Sequence, residues 1–203
     1  MLERKAILIL LALVGAVFAR NYPLYKQCDS RWASEKLGTH PTNTICSAGC
    51  LMSSAAMALS ALGNNYNPSS LNTWLNGHGG YVSSDLFVWA SINPLGVKFA
   101  GFINRAAIEQ NLRSENIVIL NVHNGGHWVL ATSMVNSNTV AVNDPGYSTT
   151  SYTLDLIVEG NIGVYRVGNS LLDVMIDQLE VVLNVAGRKD RIYQRTQAII
   201  QKQ

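Results

Sequence analysis

Charge is scarce in this chain. Of its 203 residues, 14% are charged, 15 basic against 13 acidic, while 48% are hydrophobic. Intrinsic disorder requires low hydrophobicity and strong net charge, so it is excluded for most of the chain. A nucleic-acid-binding domain needs a basic excess, which a net charge of +2 does not supply. Proline is rare, with 5 residues, and the 16 glycines follow no triplet period, which excludes a collagen-like fibre. Cys28, Cys46 and Cys50 are the only cysteines. Three are too few to replace a hydrophobic core with a disulfide scaffold. No usable N-glycosylation sequon is present, because Asn67-Pro68-Ser69 is blocked by its proline.

The first twenty residues have their own pattern. Glu3, Arg4 and Lys5 form a short charged start, and Ala6 to Ala19 is an apolar run of 14 residues. Val17-Phe18-Ala19 then offers small residues at the −3 and −1 positions of a cleavage site. This is the three-part pattern of a secretory signal peptide over residues 1–19. As a helix the run rises only about 21 Å, short of the roughly 30 Å hydrocarbon core. An uncleaved membrane anchor is the alternative. The remaining 184 residues carry 13 basic and 12 acidic groups, so no polyanionic partner is implied. No later segment reads as a transmembrane helix. The expected location is outside the cell or in the lumen of the secretory and endolysosomal pathway.

Residues 20–167 are rich in Gly, Asn, Ser and aromatics. Residues 168–203 hold no Trp, Phe, Cys, His or Pro. There Leu171, Leu172, Met175, Leu179, Val182 and Leu183 fall at helical spacing, and a second helical segment runs from Ile192 to Ile200. A helical C-terminal extension is expected, packed on the domain or on a sister chain.

Within 20–167, the pattern predicts a helix over Gly49 to Leu62, stopped by Gly63-Asn64-Asn65. Ser69 or Ser70 can cap a short helix to Asn76, Ser83 or Ser84 another to Ile92, and Asn104 a third to Arg113. In that reading Asp85 is a first-turn helix acid. Strands are expected over Val97 to Phe102, Asn116 to Val122, Trp128 to Val135, Thr139 to Asn143 and Ile162 to Val167. Tyr152 to Glu159 is ambiguous. Helices first and antiparallel strands second argue for α+β, with helices packed on one side of an antiparallel sheet.

Four residues are candidates for chemistry. Cys50 opens the predicted helix, where the terminal amides and dipole favour a thiolate. Gly49 beside it would let a substrate backbone approach. Cys50 could equally be half of a disulfide. His127 lies in Asn124-Gly125-Gly126-His127-Trp128 at the mouth of a strand, within reach of a thiol across a cleft. Cys–His hydrolases use such a histidine as base and then as acid. His123-x-x-x-His127 has zinc spacing, but an Asn-Gly-Gly spacer signals a loop, so no metal site is expected. Asp144 sits in Asp-Pro-Gly, which is a good turn by itself. In a hairpin with a two-residue loop, Asn136-Ser137 or Ser137-Asn138, paired numbers sum to 273 or 275. Asp144 and His127 then share a face, and in the first register they are diagonal neighbours. A carboxylate there would orient the imidazole. Gln27 precedes Cys50 by 23 residues, and its amide is a possible oxyanion donor. His78 reads as a loop residue, and Trp74 and Trp89 as core.

Tyr-Pro-Leu-Tyr-Lys-Gln-Cys-Asp-Ser-Arg-Trp, Gly-Cys-Leu-Met-Ser-Ser-Ala-Ala-Met-Ala, Gly-His-Trp-Val-Leu-Ala and Val-Asn-Asp-Pro-Gly follow one another in that order. Together they resemble the bacteriocin-processing, double-glycine leader peptidase-like family, a papain-fold group of cysteine peptidases. The resemblance spans about Tyr22 to Val167. It implies a papain-like α+β fold with Gln27 as oxyanion donor, Cys50 as nucleophile, His127 as base and Asp144 as orienting carboxylate. Gly49, Gly126 and Trp128 are the expected substrate contacts. Leu51-Met52 stands where the family often has Gly-Pro after the nucleophile. The resemblance also suggests a Cys28–Cys46 bridge that leaves Cys50 free, with Cys46–Cys50 as the competing pair.

The expected function is a secreted or lumenal cysteine hydrolase, a peptidase acting on a peptide or protein substrate through an acyl-enzyme, with no cofactor. An acyl transfer to an amine uses the same intermediate. A catalytically silent peptide-binding or interaction module keeps the same groove, with self-association through the C-terminal helices.

Overall fold

The structure, a computed structural model, describes residues 20–167. The expected signal peptide and the expected helical extension lie outside the described residues. Among the described residues no helix is long and apolar enough to cross a membrane.

The architecture is mixed helix and antiparallel sheet. Two helices meet at Gly49: α1, Ile45–Ala48, and α2, Cys50–Ala61. Thr44 caps α1 with a reciprocal bond to Ser47, satisfying amides that a helix start otherwise leaves unpaired. Helix α2 is short of polar surface because Met52 to Leu59 are all buried. Helix α3, Pro68–Gly77, is capped by Asn67 in a capping box with Ser70, and Pro68 takes the first turn, where its missing N–H costs nothing. The predicted serine caps are thus displaced by Asn67, the residue whose proline removed the sequon.

The predicted helix from Ser83 to Ile92 is corrected. The chain instead makes a small hairpin, β1, Tyr81–Val82, with β2, Leu86–Phe87, and then a 3₁₀ turn over Trp89–Leu95 that contains Pro94. Ser83 and Ser84 adopt positive φ (50° and 75°), which no helix accommodates. Strand β3, Val97–Ile103, follows. The helix expected from Asn104 divides into a 3₁₀ turn over Arg105–Ala107 and α4, Ile108–Arg113.

The remaining strands are β4, Ile117–Val122, β5, His127–Asn136, β6, Thr139–Asn143, β7, Ser151–Thr153, and β8, Ile162–Val167. The ambiguous stretch from Tyr152 is therefore the end of β7 and a 3₁₀ turn over Leu154–Leu156. The six-stranded sheet has the order β3-β8-β4-β5-β6-β7. Pairing is antiparallel for β8–β4, β4–β5, β5–β6 and β6–β7.

Every residue of β4 is buried, so both faces of the sheet are covered. This corrects the expectation of helices on one side only. On one face Val118, Leu120 and Val122 pack with Val129, Val142, Ile162 and Ile108 of α4. On the other, the Trp89 indole lies on β8, and the Tyr165 hydroxyl donates to the Trp89 carbonyl at 2.8 Å. Trp89 is the hub of an aromatic cluster, with ring centroids 5.3 Å from Phe99, 5.1 Å from Phe102 and 5.2 Å from Trp128. Gly163 makes this possible, since a Cβ there would fall 2.0 Å from the indole.

Gly163→Ala should therefore cost about 1–3 kcal/mol through overpacking, read as a lowered denaturant midpoint at unchanged slope. An unchanged midpoint would contradict the packing of Trp89 on β8.

Candidate active site

Six separate pieces of chain converge on one cavity of about 590 Å³. Gln27, Cys50, His127 and Trp128 all line it, and so do Gly126 and Gly146.

Cys50 is the first residue of α2 and is partly exposed. Its thiol is free, because Cys28 and Cys46 form the disulfide that the resemblance implied. Gly49 does not line the cavity. It is buried, and a Cβ there would fall 2.5 Å from the Ile45 carbonyl oxygen, so its role is the close passage from α1 to α2.

His127 opens β5 directly opposite Val122 of β4. The connecting turn holds His123 and Asn124 at φ near 50° and Gly125 at φ 100°, so three successive residues in the left-handed region reverse the chain. The imidazole is 5% exposed. Its Nε2 lies 2.7 Å from Oδ1 of Asp144. The Cys50 thiol lines the same cavity and helps to raise the imidazole's pKa.

The β5–β6 hairpin explains how Asp144 reaches it. The hairpin tip is the two-residue loop Ser137-Asn138, with Asn136 opposite Thr139. Two register shifts along the strands then bring Leu130 opposite Asn143 and Ala131 opposite Val142. The tip follows the 275 register and the site the 273 register. The bulges place the carboxylate diagonal to His127.

Asp144 is 1% exposed. Burial pushes its carboxyl up in pKa, but four donors reverse that. Besides His127, the backbone N–H groups of Gly146 and Tyr147 donate to Oδ1 at 2.8 Å each, and the Tyr152 hydroxyl donates to Oδ2 at 2.8 Å. The carboxyl is held below its ordinary value. His127 moves the other way. Burial pulls it down, but the hydrogen bond to Asp144, the bond to Cys50 and their charges outweigh burial and raise it to about 9. Tyr152, buried against Asp144, is pushed up to about 12 and stays a donor.

The Asp144–Tyr147 loop is fastened to the N-terminal segment. Lys26 Nζ donates to the carbonyls of Asp144 and Tyr147, and the Gln27 backbone N–H to Pro145 O at 2.9 Å. Gly146 has no room for a side chain, because a Cβ would stand 2.8 Å from the His127 ring. The Gln27 side chain is 8% exposed, and its Nε2 donates to the Cys46 carbonyl. Its Oε1 is buried with no partner among the described residues. The disulfide thus ties the segment bearing Gln27 to the turn before α2.

Sequence reasoning missed Tyr152 and Lys26. Tyr152 sat in an ambiguous stretch, and only the β6–β7 pairing aims its hydroxyl at Asp144. For Lys26 the one signal was its place beside Gln27. The His123 ring is tilted against Tyr147 (centroids 4.7 Å apart), and its Nε2 is 3.3 Å from the Tyr152 hydroxyl. No cluster of three or more His, Cys, Asp or Glu fit for a metal occurs among the described residues. His78 lies away from the cavity, stacked on Trp74 at 4.1 Å.

No protein-family model and no curated protein matches the chain.

The His127 imidazole should titrate near pH 9 by ring NMR, and Asp144→Asn should lower that value. Because the folded value is raised, the stability it contributes is complete below about pH 6.5 and is lost as pH climbs through about 9. Asp144 has a lowered value, so its contribution is present above the ordinary carboxylate range and is lost as pH falls through the lowered one. Titration of His127 near its ordinary value would contradict the geometry.

Proposed function

We propose that the protein is a secreted or lumenal cysteine hydrolase of papain-like fold that cleaves peptide bonds through an acyl-enzyme. One observation carries the reading. A free thiol at the first turn of a 12-residue helix lines the same cavity as an imidazole whose Nε2 is bound to a buried carboxylate. The disulfide favours an oxidising compartment.

The steps follow from the positions of the side chains. Asp144 holds Nε2 of His127, which leaves Nδ1 for the Cys50 sulfur. With the His127 value raised, the imidazole holds a proton at neutral pH. The helix dipole of α2 favours negative charge on sulfur at its first residue. The thiolate attacks the substrate carbonyl carbon. One N–H of Gln27 Nε2 is spent on the Cys46 carbonyl, and the other is the donor for the developing oxyanion. Collapse of the tetrahedral intermediate breaks the C–N bond, and the imidazolium gives its proton to the leaving amine. His127 then takes a proton from water, whose oxygen attacks the thioester. Collapse of this second tetrahedral intermediate breaks the C–S bond, releases the acid and restores the negative charge to sulfur, while His127 keeps the proton it took from water.

A peptide-library digest read by mass spectrometry tests this. Cleavage is expected from the mature chain, with a Cys50-linked acyl species in the intact mass. Cys50→Ala should abolish both, and Gln27→Ala should lower kcat by about 10²–10³-fold. Products carrying an added amine would redirect the reading to acyl transfer. Hydrolysis surviving Cys50→Ala would overturn it.

A further inference from the structure

Among the described residues Asp85 is the one carboxylate that lines the cavity, and no lysine or arginine lines it. Asp85 has no ion-pair partner among the described residues. Its Oδ2 accepts from Asn43 Nδ2 at 2.6 Å, and no bond engages Oδ1 among the described residues. This is an uncompensated charge on the wall of the site.

The chain takes an unfavourable path to put it there. Val82 pairs with Leu86, so Ser83, Ser84 and Asp85 form the hairpin loop. Two successive serines at φ 50° and 75° lie in the left-handed region, where only glycine is at ease. Such strain persists only where surrounding contacts over-determine it, and it concentrates at functional sites. Here the Thr39 N–H donates to the Ser84 carbonyl at 2.9 Å and Asn43 holds the Asp85 carboxylate. The next two residues complete the wall. Leu86, 60% exposed, and Phe87 both line the same cavity, with Leu37 and Tyr81 beside them. An apolar wall ending in a free carboxylate oxygen matches a side chain with an aliphatic stem and a cationic head.

We propose that the cavity recognises a lysine or arginine side chain on the peptide segment held beside the cleaved bond, with Asp85 as its counter-ion. The proposal deepens the peptidase reading and rests on it for the substrate being a peptide. Leu86 and Phe87 cover the stem, and Asp85 takes the head while Asn43 fixes the carboxylate plane. Acidic side chains are rejected at the same position, because the Asp85 carboxylate repels them and no lysine or arginine lines the cavity to offset it.

The test compares N-acetylated peptide amides that differ at one position, arginine against its neutral isostere citrulline. N-acetylation leaves the side chain as the only cation. Binding is measured by calorimetry on the full chain carrying Cys50→Ala, so that no peptide is consumed. At one scanned position arginine should bind about 10- to 100-fold tighter than citrulline, the range expected of a charge-assisted hydrogen bond. Asp85→Asn, which keeps an oxygen for Asn43, should erase the difference. Asp85→Lys should shift preference to glutamate. Equal affinity for the two peptides at every position overturns the proposal, as does a preference that survives Asp85→Asn. Alkylation of Cys50 by a small neutral electrophile, on the chain with Cys50 intact, separates the two claims. An inert Cys50 sinks the peptidase reading, while the arginine–citrulline comparison still decides the pocket.

Discussion

Asp144 is a carboxylate cut off from water, and the structure around it keeps it charged. A buried carboxylate left alone takes up a proton. Four donors prevent this, and they come from three different parts of the structure. His127 arrives because the β5–β6 hairpin carries two bulges. The Gly146 and Tyr147 amides converge because the chain turns sharply after β6. Tyr152 arrives because β7 pairs with β6. Lys26 and Gln27 then fasten the turn from outside. Losing any of these frees the carboxylate to protonate or rotate, and with it the imidazole.

The Asp144–His127 pair reaches across the cavity to a second, independently built element. Helix α2 presents Cys50 at its first residue because Gly49 lets two helices meet almost without a linker. The Cys28–Cys46 disulfide closes a loop across 18 residues of sequence, which by chain entropy contributes about 3 kcal/mol. Its position matters as much as its stability. It fixes the segment bearing Gln27 and Lys26 to the turn just before the nucleophile. The carboxylate loop, the amide donor and the thiol are thereby held by one set of restraints.

Much of the site was legible in the sequence, for identifiable reasons. Helical and alternating patterns placed α2, α3 and every strand of the six-stranded sheet except β7, because these elements bury continuous apolar faces. Side-chain alternation was enough to put Asp144 and His127 on one face, since either two-residue loop preserves parity. It could not show that the tip and the site lie in different registers, because bulges leave no mark in a polar-apolar pattern. The Ser83–Ile92 segment misled for a related reason. Serine followed by an acid resembles a helix start, whereas contacts from Thr39 and Asn43, distant in sequence, force the two serines into a hairpin turn. Gly49 suggested room for a substrate, yet the space it keeps free is occupied by its own chain. Tyr152 and Lys26 act through pairings between distant segments, to which local periodicity is blind.

The central claim is that Cys50 and His127 form a working pair on a prepared carboxylate. The most direct measurement is alkylation of the folded, unreduced protein at about pH 6, mapped by mass spectrometry. An ordinary thiol, with a pKa near 8.5, reacts slowly there. Fast labelling confined to Cys50 is expected, slowed strongly by His127→Ala. A Cys50 that stays unlabelled until the protein is denatured would contradict the pair and leave the cavity as a binding site without chemistry.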